Sequence, residues 1–280
     1  MAIRLLVLDL DGTAVGPTNE ISPTVKAAVA AAQEQGVRVA IATGRMYRSA
    51  LRFHYDLGAD CPLLSYQGAL IQAPDPTNPS AAPTPIAHWA VPKPQALRLI
   101  HQLKTYSDTF GVHLYIDDTL YVEELTPRTE TYAARSQVPA VAVGDFREFL
   151  PAANAPTKVL ALSDQPEAIS QLLLEMKEVF SPQELYLTKS QPTYFEATNP
   201  LAHKGNAVQF LAEEKLGLTA AEVMAVGDNM NDFEMVRYAG VGVAMGSAPP
   251  ALQAVAQWVA PSVEADGVAA AIARFILDAE

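Results

Sequence analysis

The stretch Leu5-Leu6-Val7-Leu8-Asp9-Leu10-Asp11-Gly12-Thr13 constrains this chain more than any other. From Leu5 to Leu10 every residue but Asp9 is apolar, the composition of a strand buried on both faces. Two carboxylates stand two positions apart at its end, followed by Gly12, a residue suited to a turn. A charge at the mouth of a buried strand must meet water, a metal or a partner. Taken alone, the stretch is equally a strand that stops at polar residues or the beginning of a site. Later stretches separate the two.

Downstream, Ser22 and Pro23 mark a helix start with Ile21 as its staple, and an Ala-rich helix from Val25 to Gln35 ends at Gly36. Val37 to Ala42 is a second apolar strand, leading directly into Thr43-Gly44-Arg45. A helix from Met46 to Leu57, closed by Gly58, precedes a short strand from Pro62 to Ser65. Alternation of strand and helix predicts a parallel sheet with right-handed crossovers. Tyr66 to Ala69 reads as a turn into Leu70-Ile71-Gln72. Residues 73–85 carry five prolines and read as an extended surface loop, with Ile86 to Val91 returning as a strand.

Residues 91–190 change texture. A helix from Lys93 to Tyr106 is followed by a hairpin, His113 to Asp117 and Thr119 to Glu123, turning at Asp117-Asp118. Thr157 to Ser163 and Leu185 to Lys189 are further strands, separated by an amphipathic helix from Gln165 to Val179. The first pattern then resumes: a helix from His203 to Leu216 closed by Gly217, a strand from Glu222 to Val226, and the polar run Gly227-Asp228-Asn229-Met230-Asn231-Asp232. Phe233 to Tyr238, Pro249 to Ala256 and Gly267 to Leu277 read as helices, and Val241 to Ala244 and Trp258-Val259 as strands. Thr219 and Glu222 have capping-box spacing but lead into a strand, so no box is expected there. The whole predicts an α/β fold: a doubly wound, Rossmann-like parallel sheet core over 1–90 and 191–280, with an inserted α+β domain over 91–190.

Charge narrows the function. With 19 basic and 31 acidic residues among 280, the formal charge is -12, which disfavours a nucleic-acid partner. A phosphorylated substrate stays possible, because a divalent cation and a few basic side chains reverse the sign of one pocket. The single Cys61 permits no internal disulfide and no cysteine-based zinc site. Met1 leads straight into the first strand without a signal peptide, and no apolar run approaches the ~18 residues of a membrane span. A cytoplasmic protein, monomeric or weakly homo-oligomeric and without a membrane partner, is the expectation.

Three apolar strands end in polar clusters: Asp9/Asp11, Thr43/Arg45 and Asp228/Asn231/Asp232. In open α/β sheets ligands bind beyond the carboxyl ends of the strands, so neighbouring strands would bring the clusters into one crevice. Asp9, Asp228 and nearby carbonyls are hard oxygen donors, suited to Mg2+ rather than zinc. Lys204, at a helix start, adds a positive charge, and Thr43 a hydroxyl and a backbone N–H. Such a set neutralises the oxygens of a transferring phosphoryl group. One carboxylate near the metal can attack phosphorus, and a second can protonate the leaving oxygen and activate water.

These segments resemble those of the haloacid dehalogenase superfamily of phosphohydrolases and, within it, the Cof-type branch. The resemblance spans nearly the whole chain. It rests on Asp9-Leu10-Asp11-Gly12-Thr13, Ala42-Thr43-Gly44-Arg45, Lys204-Gly205 and Gly227-Asp228-Asn229-Met230-Asn231-Asp232, with an insertion between the second and third. It implies Asp9 as nucleophile and Asp11 as general acid/base, with the Asp11 carbonyl on the metal. It implies Thr43, Gly44, Lys204 and Asn231 around the phosphoryl group, and Asp228 completing a Mg2+ site with Asp9 and Asp11. Asp232 and Asn231 would orient Lys204, waters or phosphate, and residues 91–190 would be a mobile cap. Arg45 is either a substrate contact or a surface salt bridge. The expected activity is hydrolysis of a small phosphorylated metabolite, a sugar phosphate first, with flavin or pyridoxal phosphates as further options. A phosphomutase using the same aspartates and a non-hydrolytic regulatory module are the rivals. Two departures stand out. Gln67-Gly68 replaces the common Asn-Gly, and Met245-Gly246-Ser247-Ala248 replaces Met-Gly-Asn-Ala.

Other features read as structure. The glycines Gly240, Gly242 and Gly246 precede rather than follow a strand, and miss the spacing of a dinucleotide loop. None of the histidines has metal-ligand spacing, and His203 reads as a solvent-facing helix start. Cys61 reads as a small core residue, Tyr115, Tyr121 and Tyr132 as packing, and Glu123-Glu124 as a solvated strand end.

Overall fold

Residues 2–75, 78, 81–106 and 109–278 are described by this computed structural model. β1 (Leu5–Leu8) is buried on both faces. Leu6 and Leu8 pack into one hydrophobic cluster and Leu5 and Val7 into another on the opposite face, the consequence of a period-two strand covered on both sides. α1 (Pro23–Glu34) starts with Ser22 accepting from the Val25 N–H. β2 (Arg38–Ile41) pairs with β1 in parallel. α2 (Tyr47–Leu57) stops at Gly58, whose φ is 69°. β3 (Leu63–Ser65), β4 (Leu70–Ala73) and β5 (Thr84–His88) make a small antiparallel sheet. The returning strand thus begins at Thr84 and ends at His88 rather than spanning 86–91. Of the proline-rich loop, residues 76, 77, 79 and 80 lie outside the described residues.

The inserted unit follows: α3 (Lys93–Lys104), β6 (Gly111–Ile116), β7 (Thr119–Val122), α4 (Pro127–Ser136), β8 (Ala140–Ala142), α5 (Phe146–Phe149), β9 (Lys158–Leu162), α6 (Pro166–Val179), β10 (Tyr186–Gln191) and β11 (Tyr194–Thr198). Its six strands lie in the order β10-β11-β9-β6-β7-β8 around a separate hydrophobic core. The hairpin turns at Asp117 and Asp118, both with positive φ. Four elements were not expected, one of them the single-turn α5. α4 buries only Thr129 and has no apolar stripe to reveal it. β8 has three residues. β11 lies beyond residue 190, so the second sheet runs into the segment expected to belong to the core.

The core resumes with α7 (Lys204–Gln209), which continues as a wider π turn to Lys215. It adds β12 (Val223–Gly227), α8 (Phe233–Tyr238), β13 (Val241–Ala244), α9 (Pro250–Gln253), β14 (Trp258–Val259) and α10 (Gly267–Ile272), the last continued by a π turn to Leu277. α9 is shorter than the expected 249–256. A capping box does form between Thr219 and Glu222, contrary to expectation: the two residues bracket a single 3-10 turn before β12, which suffices to use the cap. All five core strands, β14-β13-β12-β1-β2, are parallel. Among the described residues no helix is long and apolar enough to cross a membrane.

Candidate active site

β2 and β12 flank β1, so the three polar clusters leave the sheet side by side at its carboxyl edge. The loop after β1 can pass close to Asp228 because residue 12 is glycine. Its φ is +82°, and a Cβ there would lie 2.2 Å from Asp228 Oδ2.

Lys204 opens α7, held there by His203, whose Nδ1 accepts from the Asn206 N–H at 3.2 Å. His203 is therefore a half-buried cap, also tilted against the Tyr186 ring, rather than a solvated helix start. The Lys204 ammonium is fully buried and donates to Asp9 Oδ1 and Asp232 Oδ1, both at 2.6 Å. The other oxygen of Asp232 accepts from the Asp228 N–H at 2.9 Å and the Asn229 N–H at 3.1 Å, which fixes the loop after β12.

Carboxylate oxygens of Asp9, Asp228 and Asp232 lie within 4.8 Å of one another. Burial and the charge of Asp232 push Asp9 up to about 7, although Lys204 opposes the shift. Burial, then Asp9 and Asp232, push Asp228 up to about 9. Burial alone would lower Lys204, but the two aspartates raise it. One ammonium thus faces three crowded carboxylates, a donor set of hard oxygens that fits a hard cation such as Mg2+.

Asp11 stands apart from that cluster. Burial would raise its carboxyl, but Arg45 outweighs burial and holds it below the usual range. Arg45 donates to both Asp11 oxygens, at 2.8 and 2.6 Å, and to Asn19 Oδ1 at 3.0 Å. Its guanidinium lies over the Phe53 ring. This is a bidentate, part-buried pair on the cavity wall.

Thr43 is buried, with its N–H on Leu64 O (2.8 Å) and its hydroxyl accepting from the Arg45 N–H (3.1 Å). Asp9, Asp11, Gly44, Arg45, Asp228 and Asn231 line one cavity of about 300 Å3 between the core and the inserted unit. Thr43, Lys204 and Asp232 are buried and do not line it.

Sequence reasoning missed Lys158 and Glu196, both from the inserted unit. They form a buried ion pair at 3.1 Å and line the same cavity. The Lys158 ammonium also donates to Gly44 O at 3.1 Å. Gln67 donates to Glu196 Oε2 at 3.0 Å and accepts from Asn231 Nδ2 at 3.1 Å. A signal existed. Lys158 and Glu196 are single charges in otherwise uncharged, largely buried strands, which demand a partner just as Asp9 does. Tyr115 is buried packing, while Tyr132 reaches the cavity. Glu123 is not merely solvated, since it accepts from the Phe146 N–H and pairs with Lys104.

A family model described as haloacid dehalogenase-like hydrolase matches residues 6–272. The chain is 30% identical over 279 residues to the pyridoxal phosphate phosphatase YbhA of Escherichia coli, covering 96% of this chain and 97% of the relative. It is 28% identical over 275 residues to the 5-amino-6-(5-phospho-D-ribitylamino)uracil phosphatase YcsE of Bacillus subtilis, covering 98% and 96%. Among solved structures, TM0651 from Thermotoga maritima superposes with a TM-score of 0.78 at 28% identity, covering 97% of each chain.

Proposed function

The chain belongs to the haloacid dehalogenase-like hydrolases, and on that premise we propose that it is a Mg2+-dependent phosphatase working through an aspartyl-phosphate. It is a phosphoric monoester hydrolase acting on small phosphorylated substrates, as its full-length relatives are. The observation that carries the finer reading is the Lys204 ammonium, buried at 2.6 Å from both Asp9 and Asp232 beside Asp228.

Lys204 binds Oδ1 of Asp9, which leaves Oδ2 to attack phosphorus. The new Asp9 O–P bond forms as the bond from phosphorus to the substrate oxygen breaks, and Asp11 gives that oxygen its proton. Water then attacks the acyl phosphate with Asp11 as base, releasing phosphate and restoring Asp9. As acid, Asp11 must hold a proton, which the bidentate Arg45 opposes, so the first step needs Arg45 to loosen its grip. Lys204 and the Thr43 and Gly44 segment offset charge on the phosphoryl oxygens, and Asn231 contributes its amide. Mg2+, held by Asp9, Asp228 and the Asp11 carbonyl, would neutralise the phosphoryl oxygens further.

The inserted unit acts as a cap. The cavity of about 300 Å3 holds a small metabolite, and its cap-side wall offers Ser136, Ser190, Gln191, Tyr132 and Tyr194. A wall of hydroxyls and amides suits a polyhydroxylated leaving group, so sugar phosphates lead, with pyridoxal and ribityl phosphates next.

Hydrolysis of p-nitrophenyl phosphate with and without Mg2+, followed by a metabolite phosphate panel, tests this. Asp9→Asn is expected to lose about 10^4-fold in kcat. Full activity in that variant would remove Asp9 as nucleophile.

A further inference from the structure

Three side chains join the cap to the far wall of the cavity. Glu196 Oε1 accepts from Lys158 Nζ at 3.1 Å and from Ser190 Oγ at 2.7 Å, so its carboxylate is held from two sides. Its other oxygen accepts from Gln67 Nε2 at 3.0 Å. A carboxylate only accepts, so the Gln67 amide must turn its NH2 to Glu196 and its carbonyl the other way. That carbonyl meets Asn231, which must in turn present its own NH2, at 3.1 Å. Asn231 is only 8% exposed, lines the cavity, and its Oδ1 has no partner among the described residues.

The backbone is shaped to place Gln67. Tyr66 and Gln67 both have positive φ, 53° and 60°, though neither is glycine. Such strain persists only where the surroundings over-determine it. Here the Tyr66 hydroxyl is tied to Asp118 Oδ1 at 2.7 Å, and the Gln67 N–H to Thr43 O at 2.9 Å. Residue 44 makes room for the amide: a Cβ there would lie 2.5 Å from Gln67 Nε2.

We propose that Glu196, acting through Gln67, sets which atoms of the Asn231 amide face the phosphoryl group. Glu196 and Gln67 are then positioning residues, and Asn231 is the group they position. The proposal rests on the phosphatase reading. Because Glu196 comes from the cap and Gln67 and Asn231 from the core, the orientation is imposed only while the cap is docked. A flipped Asn231 would set its carbonyl against the Gln67 carbonyl and exchange donor and acceptor in the cavity wall.

Glu196→Gln preserves shape but lets the amide at 67 sit either way. Its kcat/KM for p-nitrophenyl phosphate is expected to fall about tenfold to a hundredfold, the range for a hydrogen bond to a charged group. Gln67→Met, which leaves the Lys158–Glu196 pair intact, should fall by a similar factor. Combining either with Asn231→Ala should cost no more than Asn231→Ala alone. Losses that multiply, or wild-type kcat/KM in Glu196→Gln, would overturn the relay. An independent arm uses the side-chain amide 1H–15N signals, assigned by their disappearance in Gln67→Met and Asn231→Ala. Glu196→Gln should move the Asn231 pair although the two residues share no hydrogen bond. If only the Gln67 signal moves, the relay is wrong. Should the wild type release no phosphate from any substrate, the phosphatase reading fails, and the amide signals still decide the relay.

Discussion

Replacing Lys204 by Met tests the electrostatic centre of the site. The ammonium is fully buried, and its partners Asp9 and Asp232 have side chains 7% and 0% exposed. Methionine keeps the volume and removes the charge, leaving two buried carboxylates without their cation. Breaking a buried pair in this way costs about 3–5 kcal/mol. Asp232 retains two backbone N–H donors, so the lower end, about 3 kcal/mol, is expected near pH 8. For a chain of this size that corresponds to a fall in Tm of about 6–12 °C. Asp9 is already raised to about 7, and without Lys204 it rises further, so near pH 5 it is protonated and the deficit shrinks. Thermal unfolding with a chelator present, at pH 5 and pH 8, reads both numbers. An unchanged Tm at pH 8, or a larger deficit at pH 5 than at pH 8, would refute the reasoning.

Further expectations come from the same carboxylates. Asp9 and Asp228 sit at about 7 and about 9 in the fold against 3.8 for the ordinary group. The native state therefore holds more protons than the unfolded chain across that window. Stability of the metal-free protein should be greatest at its acid end and fall as pH rises towards 9; melts with a chelator at pH 5, 7 and 9 measure it. Added Mg2+ should raise Tm more at pH 8.5 than at pH 5.5, since protons compete for the same oxygens; an equal rise at both would speak against metal binding there. Asp228→Asn should abolish the Mg2+-induced rise in Tm and reduce kcat at least about a hundredfold. Arg45→Ala frees Asp11 from the pair that depresses its carboxyl, so the alkaline limb of the kcat/KM profile, where Asp11 loses the proton it must give, should move to higher pH, and a profile that stays in place would detach Asp11 from that limb.

Local composition told much about this protein. The apolar runs before Asp9, Thr43 and Asp228 read as buried strands, because runs this short suit a strand covered on both faces better than a buried helix. Their polar ends then mark a sheet edge that needs a ligand. Helix limits were legible where a cap carries them, as at Ser22 and Gly58, and illegible where no apolar stripe exists, as in α4. Partnership was not legible. Asp11 and Arg45 were assigned separate duties, and only the folded chain joins them. Lys158 and Glu196 were invisible as site residues because their meaning depends on a sheet of the inserted unit lying against Gly44 and Gln67. Sequence determines which side chains must find a partner, since desolvation of a charge is a property of the residue and its neighbours in the chain. Which partner each one finds depends on how distant strands stack, and only the tertiary structure decides that.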